Sequence, residues 1–463
     1  MSGANGGKGR VTRRRPVAVD LFAGAGGLSL GFEQAGFDVA AAVEIDPIHA
    51  ATHRYNFPDC ATIPKPIAEV SGRELRSVSG IGDREVDIVV GGPPCQGFSL
   101  IGQRMLDDPR NALVKEFLRL VVELSPAFFL FENVKGLTAG RHRRFLQELA
   151  AALQAAGYRV LMPWRVLNAA NYGVPQDRAR LFLIGARGRR QPPRYPPSLT
   201  APRGKGGAPG LLPATPTCEE ALGDLPEAER YQELSAGDTV RMGALSAAFR
   251  KRLCGYAAEL RCLYRDSWHY GYGRRWDPEL LTASARTAHT DISRRRFART
   301  APGKVEPVSR FFKLAADGLS NTLRAGTDSA RGAFTSPRPI HYARDRCVTI
   351  REMARLHGFP DWFRFHKTKW HGARQVGNAV PPPLARALAC EFLAAMGVSP
   401  TRPRRALPLG DAALLGMDMS AAADYWGVAV PIARRDRKSG ARKRKQEEIE
   451  EALERGRAEA KHG

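Results

Sequence analysis

Three kinds of reactive side chain stand where the chain must turn sharply. Cys95 lies in Gly91-Gly92-Pro93-Pro94-Cys95-Gln96-Gly97-Phe98-Ser99. Its thiolate would be the strongest side-chain nucleophile near neutral pH. A lone cysteine more often reads as a small buried hydrophobe, but here the loop argues for chemistry. Two prolines fix the backbone and three glycines let something approach it closely. Glu132 follows the apolar run of residues 127–131, so its carboxylate would share a rim with Cys95 if the two strands are neighbours. Gln176, Arg178 and Arg180 alternate just before a third apolar run. On an extended segment they would point to one side, and two arginines there suit a phosphate or an acidic substrate.

The elements that must hold these residues follow from the apolar pattern. Residues 87–90 form a β-branched run that the prolines stop, placing Cys95 where open α/β sheets bind ligands. Upstream, Val17-Ala-Val-Asp-Leu-Phe22 reads as a strand, Ala23-Gly24-Ala25-Gly26-Gly27 as a turn and residues 28–35 as a helix. Alone, that turn is as much a plain tight turn as a cofactor cradle. A second strand over residues 37–46 ends in Glu44-Ile45-Asp46, about twenty residues beyond the glycines, where an acidic group suits ribose hydroxyls. Together the two units favour an adenosine-containing cofactor. Helices over 114–124 and 144–156 and strands over 127–131, 158–167 and 181–185 continue the alternation, which predicts a parallel-sheet α/β fold.

Composition narrows the classes. The 463 residues are 43% hydrophobic and 25% charged, as in an ordinary globular protein, and suggest two domains. No apolar run reaches the eighteen residues a membrane span needs, and residues 1–15 lack the apolar centre of a signal peptide. Seven cysteines without a CxxC pair argue against a disulfide framework or structural zinc, so no metal and a reduced, cytoplasmic setting are expected. Lys+Arg 71 against Asp+Glu 47 gives a net charge of +24, which suggests a polyanionic partner, nucleic acid ahead of a membrane surface. Genome base bias towards arginine is the competing explanation.

The ordered segments 20–32 (DLFAGAGGLSLGF), 91–99 (GGPPCQGFS), 131–134 (FENV), 176–180 (QDRAR) and 375–385 (QVGNAVPPPLA) resemble the cytosine-5 DNA methyltransferase family of bacterial type. That resemblance implies an α/β, Rossmann-like S-adenosylmethionine-dependent methyltransferase sheet with an inserted, smaller target-recognition domain. It implies Cys95 as the nucleophile and Glu132 as the residue that bonds the exocyclic amine and ring nitrogen of the cytosine. Arg178 and Arg180 would orient the base and its phosphate and support the Cys95 loop. The S-adenosylmethionine pocket would use Phe22, Gly24, Gly26, Glu44, Ile45, Ile67, Pro94, Leu113, Asn378 and Val380. Where the family usually has an acidic residue that meets the adenine amine, this chain has Pro66; either Glu69 substitutes or that contact is absent.

By the same resemblance the substrate is double-stranded DNA of short sequence, with the target cytosine flipped out of the stack. The enzyme is expected to be a nucleoid-associated monomer, with a cognate restriction endonuclease as a possible companion in a restriction-modification system. The same chemistry on RNA, or an inactive DNA-binding relic, are the rival readings. The expected layout is a basic leader (1–15), a first catalytic part (16–190), a Pro/Gly-rich linker with the target-recognition domain (191–320), a returning catalytic part (321–398) and a charged tail (399–463). Within the insertion, Trp268 to Trp276 interleaves aromatics with Arg274 and Arg275, and Arg294-Arg295-Arg296 follows. These suit DNA contact, or equally a loop that packs its aromatics inward. Residues 352–356 are expected to form a structural helix.

Overall fold

A computed structural model describes residues 12–94, 111–140, 142–203, 211–326 and 337–430. Cys95 and the rest of its loop, and the basic segment from residue 431, lie outside the described residues.

Val17–Leu21 (β1) is buried along its whole length and forms the centre of an eight-stranded sheet. Asp38–Val43 (β2) and Ala61–Ile63 (β3) add in parallel on one side, and Ile88–Gly91 (β4) and Phe128–Val134 (β5) in parallel on the other. Tyr158–Val160 (β6), Arg165–Asn168 (β7) and Ala179–Arg187 (β8) complete it, with β8 antiparallel to β5 and pairing both β6 and β7. The order β3-β2-β1-β4-β5-β8-β6 places the reversal of winding between β1 and β4. In open α/β sheets that is where ligands bind.

Alternation along the strands feeds two cores. Val19, Val89, Phe129, Phe131, Leu181 and Leu183 face the helices Ala112–Leu124 (α4) and His142–Ala155 (α5). Ala18, Ile88, Val90, Leu130, Phe182 and Ile184 face the opposite side. There Gly27–Ala35 (α1) lies against Pro382–Met396 (α9), a helix from the far end of the chain. Contact is close because Gly31 has no side chain: a Cβ there would stand 2.3 Å from the Cβ of Ala385 and 2.7 Å from the carbonyl of Pro382. Pro47–Asn56 (α2) and Gly72–Val78 (α3) complete the helices of the first half.

The strand expected over residues 158–167 is two strands, because Pro163 interrupts it and cannot donate to a ladder. The stretch after residue 191, read as a linker, is tied to the sheet domain: the Tyr195 hydroxyl donates to the Phe182 carbonyl and the Leu199 amide to that of Asn171. Residues 399–430 belong to the folded body. Ala406–Pro408 pairs with Gly273–Arg275, and the Trp426 indole donates to the Pro47 carbonyl. Before the first strand, Thr12–Arg13 pairs with Val398–Ser399, and Arg14 and Arg15 form ion pairs with Asp87 and Asp38.

The inserted segment shares a core with the return segment. The short helix Cys218–Leu222 (α6) packs on Ile350–Leu356 (α7), the structural helix expected from residues 352–356. Thr349 and Glu352 close α7 with a reciprocal capping box. Lys369–Asn378 (α8) then leads through residues 377–380 into α9.

Candidate active site

The turn after β1 carries the first part of the site. Phe22 (φ 64°), Gly24 (φ 56°) and Gly26 (φ 104°) take left-handed backbone, a conformation that only the glycines adopt without strain. A Cβ on Gly26 would stand 2.4 Å from the Phe57 ring, so glycine is required there for space as well. The Glu44 carboxylate, at the end of β2, fastens the turn by accepting the Gly24 amide at 2.8 Å and the Asp46 amide at 2.9 Å. Burial pushes the Glu44 carboxyl above its ordinary range.

Ile45 beside it is 56% exposed, an uncovered apolar surface next to the turn. Phe22 and Leu113 pack against the same large core that holds Ile67. From the return segment, the carbonyl of Val380 approaches Gly27 so closely that a Cβ there would stand 2.4 Å away. Asn378 is exposed beside it.

Pro93 and Pro94 lead towards the Cys95 loop from β4, and Glu132 faces them from the neighbouring parallel strand β5. A Cβ on Gly92 would lie 2.5 Å from Glu132 Oε2. Gly92 makes room for that carboxylate, whereas Gly91 makes room for the Leu21 carbonyl, 2.7 Å from where its Cβ would stand. Glu132 pairs with Arg180 at 3.1 Å across the antiparallel β5–β8 ladder, both side chains largely covered. Burial raises the carboxyl of Glu132, and the charges of Arg180 and Arg178 oppose that rise. A carboxyl so balanced can accept from an amine or share a proton with a ring nitrogen.

Arg178 lies near Glu132 and Arg180 but is closed off from solvent, so the two arginines do not face one open side as expected. β8 begins only at Ala179, so residues 176–178 are not strand and their alternation does not set a face. Arg178 is fully buried, and its guanidinium donates to the carbonyls of Leu323 (2.8 Å), Gly377 (2.8 Å) and Ala379 (2.9 Å). It therefore clamps the peptide on either side of Asn378 and has no open face for a phosphate.

Asn133 is a site residue that sequence reasoning passed over. Its buried amide donates to the Pro93 carbonyl at 3.0 Å and so steadies the entrance of the Cys95 loop. Its place beside Glu132 was the available signal. In the insertion, Trp268 stacks on Trp362 at 5.9 Å, while Arg274 is buried between Trp362 and Glu33. Of the two readings kept for that stretch, inward packing holds for these two residues. Arg294 and Arg296 form ion pairs with Glu229 and Glu306.

Glu44 offers hydroxyl-accepting lone pairs beyond its two amide bonds, Ile45 offers an uncovered apolar face, and a Cβ on Gly24 would meet nothing within 4 Å. A ribose and an adenine ring fit that chemistry. The sheet order and the turn after β1 define a Rossmann-like fold. More narrowly, the chain belongs to the C-5 cytosine-specific DNA methylases, whose family model matches residues 17–394.

It is 56% identical over 424 residues to the Type II methyltransferase M.XorII of Xanthomonas oryzae pv. oryzae, covering 91% of this chain and 95% of that one. It is 35% identical over 375 residues to the Type II methyltransferase M1.HphI of Haemophilus parahaemolyticus, covering 80% and 85%. Among solved structures, a putative DNA modification methyltransferase encoded within an Escherichia coli prophage superposes with a TM-score of 0.64 at 30% identity, over 82% of this chain and 99% of that one. The protein is a DNA cytosine-5 methyltransferase, and the reading of the same chemistry on RNA is not favoured. No helix among the described residues is long and apolar enough to cross a membrane.

Proposed function

We propose that this enzyme methylates carbon 5 of a flipped cytosine in a short duplex sequence through a covalent Cys95 adduct, with S-adenosylmethionine as donor. The observation that carries the reading is Glu132, ion-paired with Arg180 and 2.5 Å from the Cβ position of Gly92, three residues before Cys95. Carbon 5 of cytosine is a weak nucleophile. Addition of the Cys95 thiolate at carbon 6 makes the ring electron-rich at carbon 5. Glu132 bonds the exocyclic amine and the protonated ring nitrogen, offsetting charge that builds during addition. Arg180 holds that carboxylate in place, and Asn133 holds the loop through Pro93. Phe22, Gly24, Gly26, Glu44, Ile45, Ile67, Pro94, Leu113, Asn378 and Val380 would hold S-adenosylmethionine, which would supply the electrophilic methyl group that carbon 5 takes up, leaving S-adenosylhomocysteine. Loss of the carbon 5 proton and of the thiolate then releases the product.

Arg178 acts at a distance, as a positioning residue for the loop around Asn378. The segment 191–320 reads the DNA sequence between the two catalytic parts, and a monomer suffices for the chemistry. The similarity to Type II methyltransferases supports a role in a restriction-modification system with a cognate endonuclease.

Expression in a methylation-free bacterial host followed by bisulfite sequencing tests the reading. Protected cytosines in one short motif, lost in Cys95→Ala, are the expected result. Protection that survives Cys95→Ala would refute the covalent mechanism, and no protection from soluble enzyme would refute the activity.

A further inference from the structure

His357 lies in the turn after α7, outside every segment expected to do chemistry, yet it bridges two parts of the site. Its Nδ1 lies 2.9 Å from the side-chain nitrogen of Gln176, and its Nε2 lies 3.0 Å from the carbonyl of Ala379. The partners fix the proton. Gln176 Oε1 accepts the Leu323 amide, so the Gln176 nitrogen is the end that faces His357, and it can only donate. The Ala379 carbonyl can only accept. The ring is therefore neutral, with its hydrogen on Nε2. Burial, and after it the charge of Arg178, holds the imidazole well below its ordinary pKa.

The ring is braced on every side. Phe359 stacks on it at 5.7 Å with planes 14° apart. Gly358 takes left-handed backbone (φ 83°), and a Cβ there would stand 2.7 Å from Pro383 at the start of α9. The carbonyl it reaches is also held by Arg178, which holds that of Gly377 as well. Those two carbonyls flank Asn378. A peptide pinned at both neighbours fixes the direction in which the intervening Cβ leaves the backbone, and Asn378 is the exposed residue of the three.

We propose that His357 is a positioning residue for cofactor binding: as a neutral Nε2–H donor, it links Gln176, at the approach to the strand bearing Arg180, to the peptide that orients Asn378. This rests on the assignment of Asn378 and Val380 to the cofactor pocket, so the test carries a control for that assignment.

The binding constant of S-adenosylhomocysteine, measured by calorimetry on the full chain, reads the effect without turnover. His357→Leu leaves the Ala379 carbonyl short of a donor and should weaken binding roughly tenfold, raising the KM for S-adenosylmethionine with kcat and DNA affinity changed less than about twofold. His357→Gln can accept from Gln176 and donate to Ala379, so it should restore affinity to within about twofold of the parent. Asn378→Ala is the control. If it weakens binding while folded His357→Leu does not, the link is overturned. If neither weakens binding, the pocket assignment falls, and the link with it. Should His357→Leu not fold, 15N spectra of histidine-labelled parent enzyme decide, with the His357 signal assigned by its loss in His357→Gln. An Nε2–H tautomer unchanged down to pH 5 supports the proposal, and an Nδ1–H form or titration above that pH overturns it.

Discussion

Glu132 and Gly92 show how little space the chemistry leaves. A methyl group on Gly92 would overlap Oε2 of Glu132, and the carboxylate would have to swing away from Arg180. The cost belongs to catalysis more than to folding, because the displaced atoms are the far end of a side chain. Gly92→Ala is expected to lower kcat by about a hundredfold, the scale of an ångström-sized misplacement, with little change in melting temperature. Steady-state kinetics beside a thermal melt would check it. Glu132 stands out in the sequence through FENV (131–134), a segment that carries the family resemblance, more than through its place after an apolar run, where surface carboxylates are also common. The burial of Arg178 was not legible. Its partners, Leu323, Gly377 and Ala379, lie far along the chain, and no local pattern announces that an arginine will be received by carbonyls.

At the scale of elements, the strands were read well, though β8 pairs antiparallel with β5, β6 and β7 where a parallel sheet was expected, and the insertion was read poorly. Strands buried on both faces write themselves as continuous apolar runs, and α9 as an apolar helix. The stretch from Trp268 to Trp276 mixes aromatics and arginines, and sequence cannot say whether such side chains meet solvent or each other. Arg274 went inward because Glu33 and the Asn56 carbonyl receive it and Trp362 covers it. The contact of α1 with α9 makes a sharper statement. Gly31→Ala would press a methyl group against Ala385 and the Pro382 carbonyl, neither of which can rotate away. A loss of about 1–3 kcal/mol is expected, read as a lower urea midpoint with an unchanged slope.

Across the whole molecule, buried ion pairs join the inserted and returning segments. Arg355 donates to Asp361 at 2.6 Å and to Asp224 at 2.9 Å, and Arg346 joins Glu352 to Glu227. Burial alone would raise the carboxyls of Glu352 and Asp361, but Arg346 and Arg355 outweigh it and hold both at about 2. Carboxyls held below their unfolded values contribute stability at neutral pH, and that contribution is lost as pH falls from about 4.5 towards 2. Arg355→Met would leave Asp224 to Arg261 alone and Asp361 to Arg351, 3.8 Å away, and is expected to cost about 3 kcal/mol at pH 7. Denaturant titrations at pH 7 and pH 3 should show the difference between parent and variant shrinking in acid.

The clamp on Asn378 has a consequence for how the enzyme is made. Arg178 is translated about two hundred residues before Gly377 and Ala379, whose carbonyls receive it, a delay set by the chain's own connectivity. Until those residues leave the ribosome, a nascent chain holds a cation whose final berth does not exist, and α1 lacks α9 to cover it. The face of the sheet that carries α1 stays uncovered until α9 has been made. If the return segment lines the donor pocket as proposed, a chain stopped before it is expected not to bind S-adenosylhomocysteine.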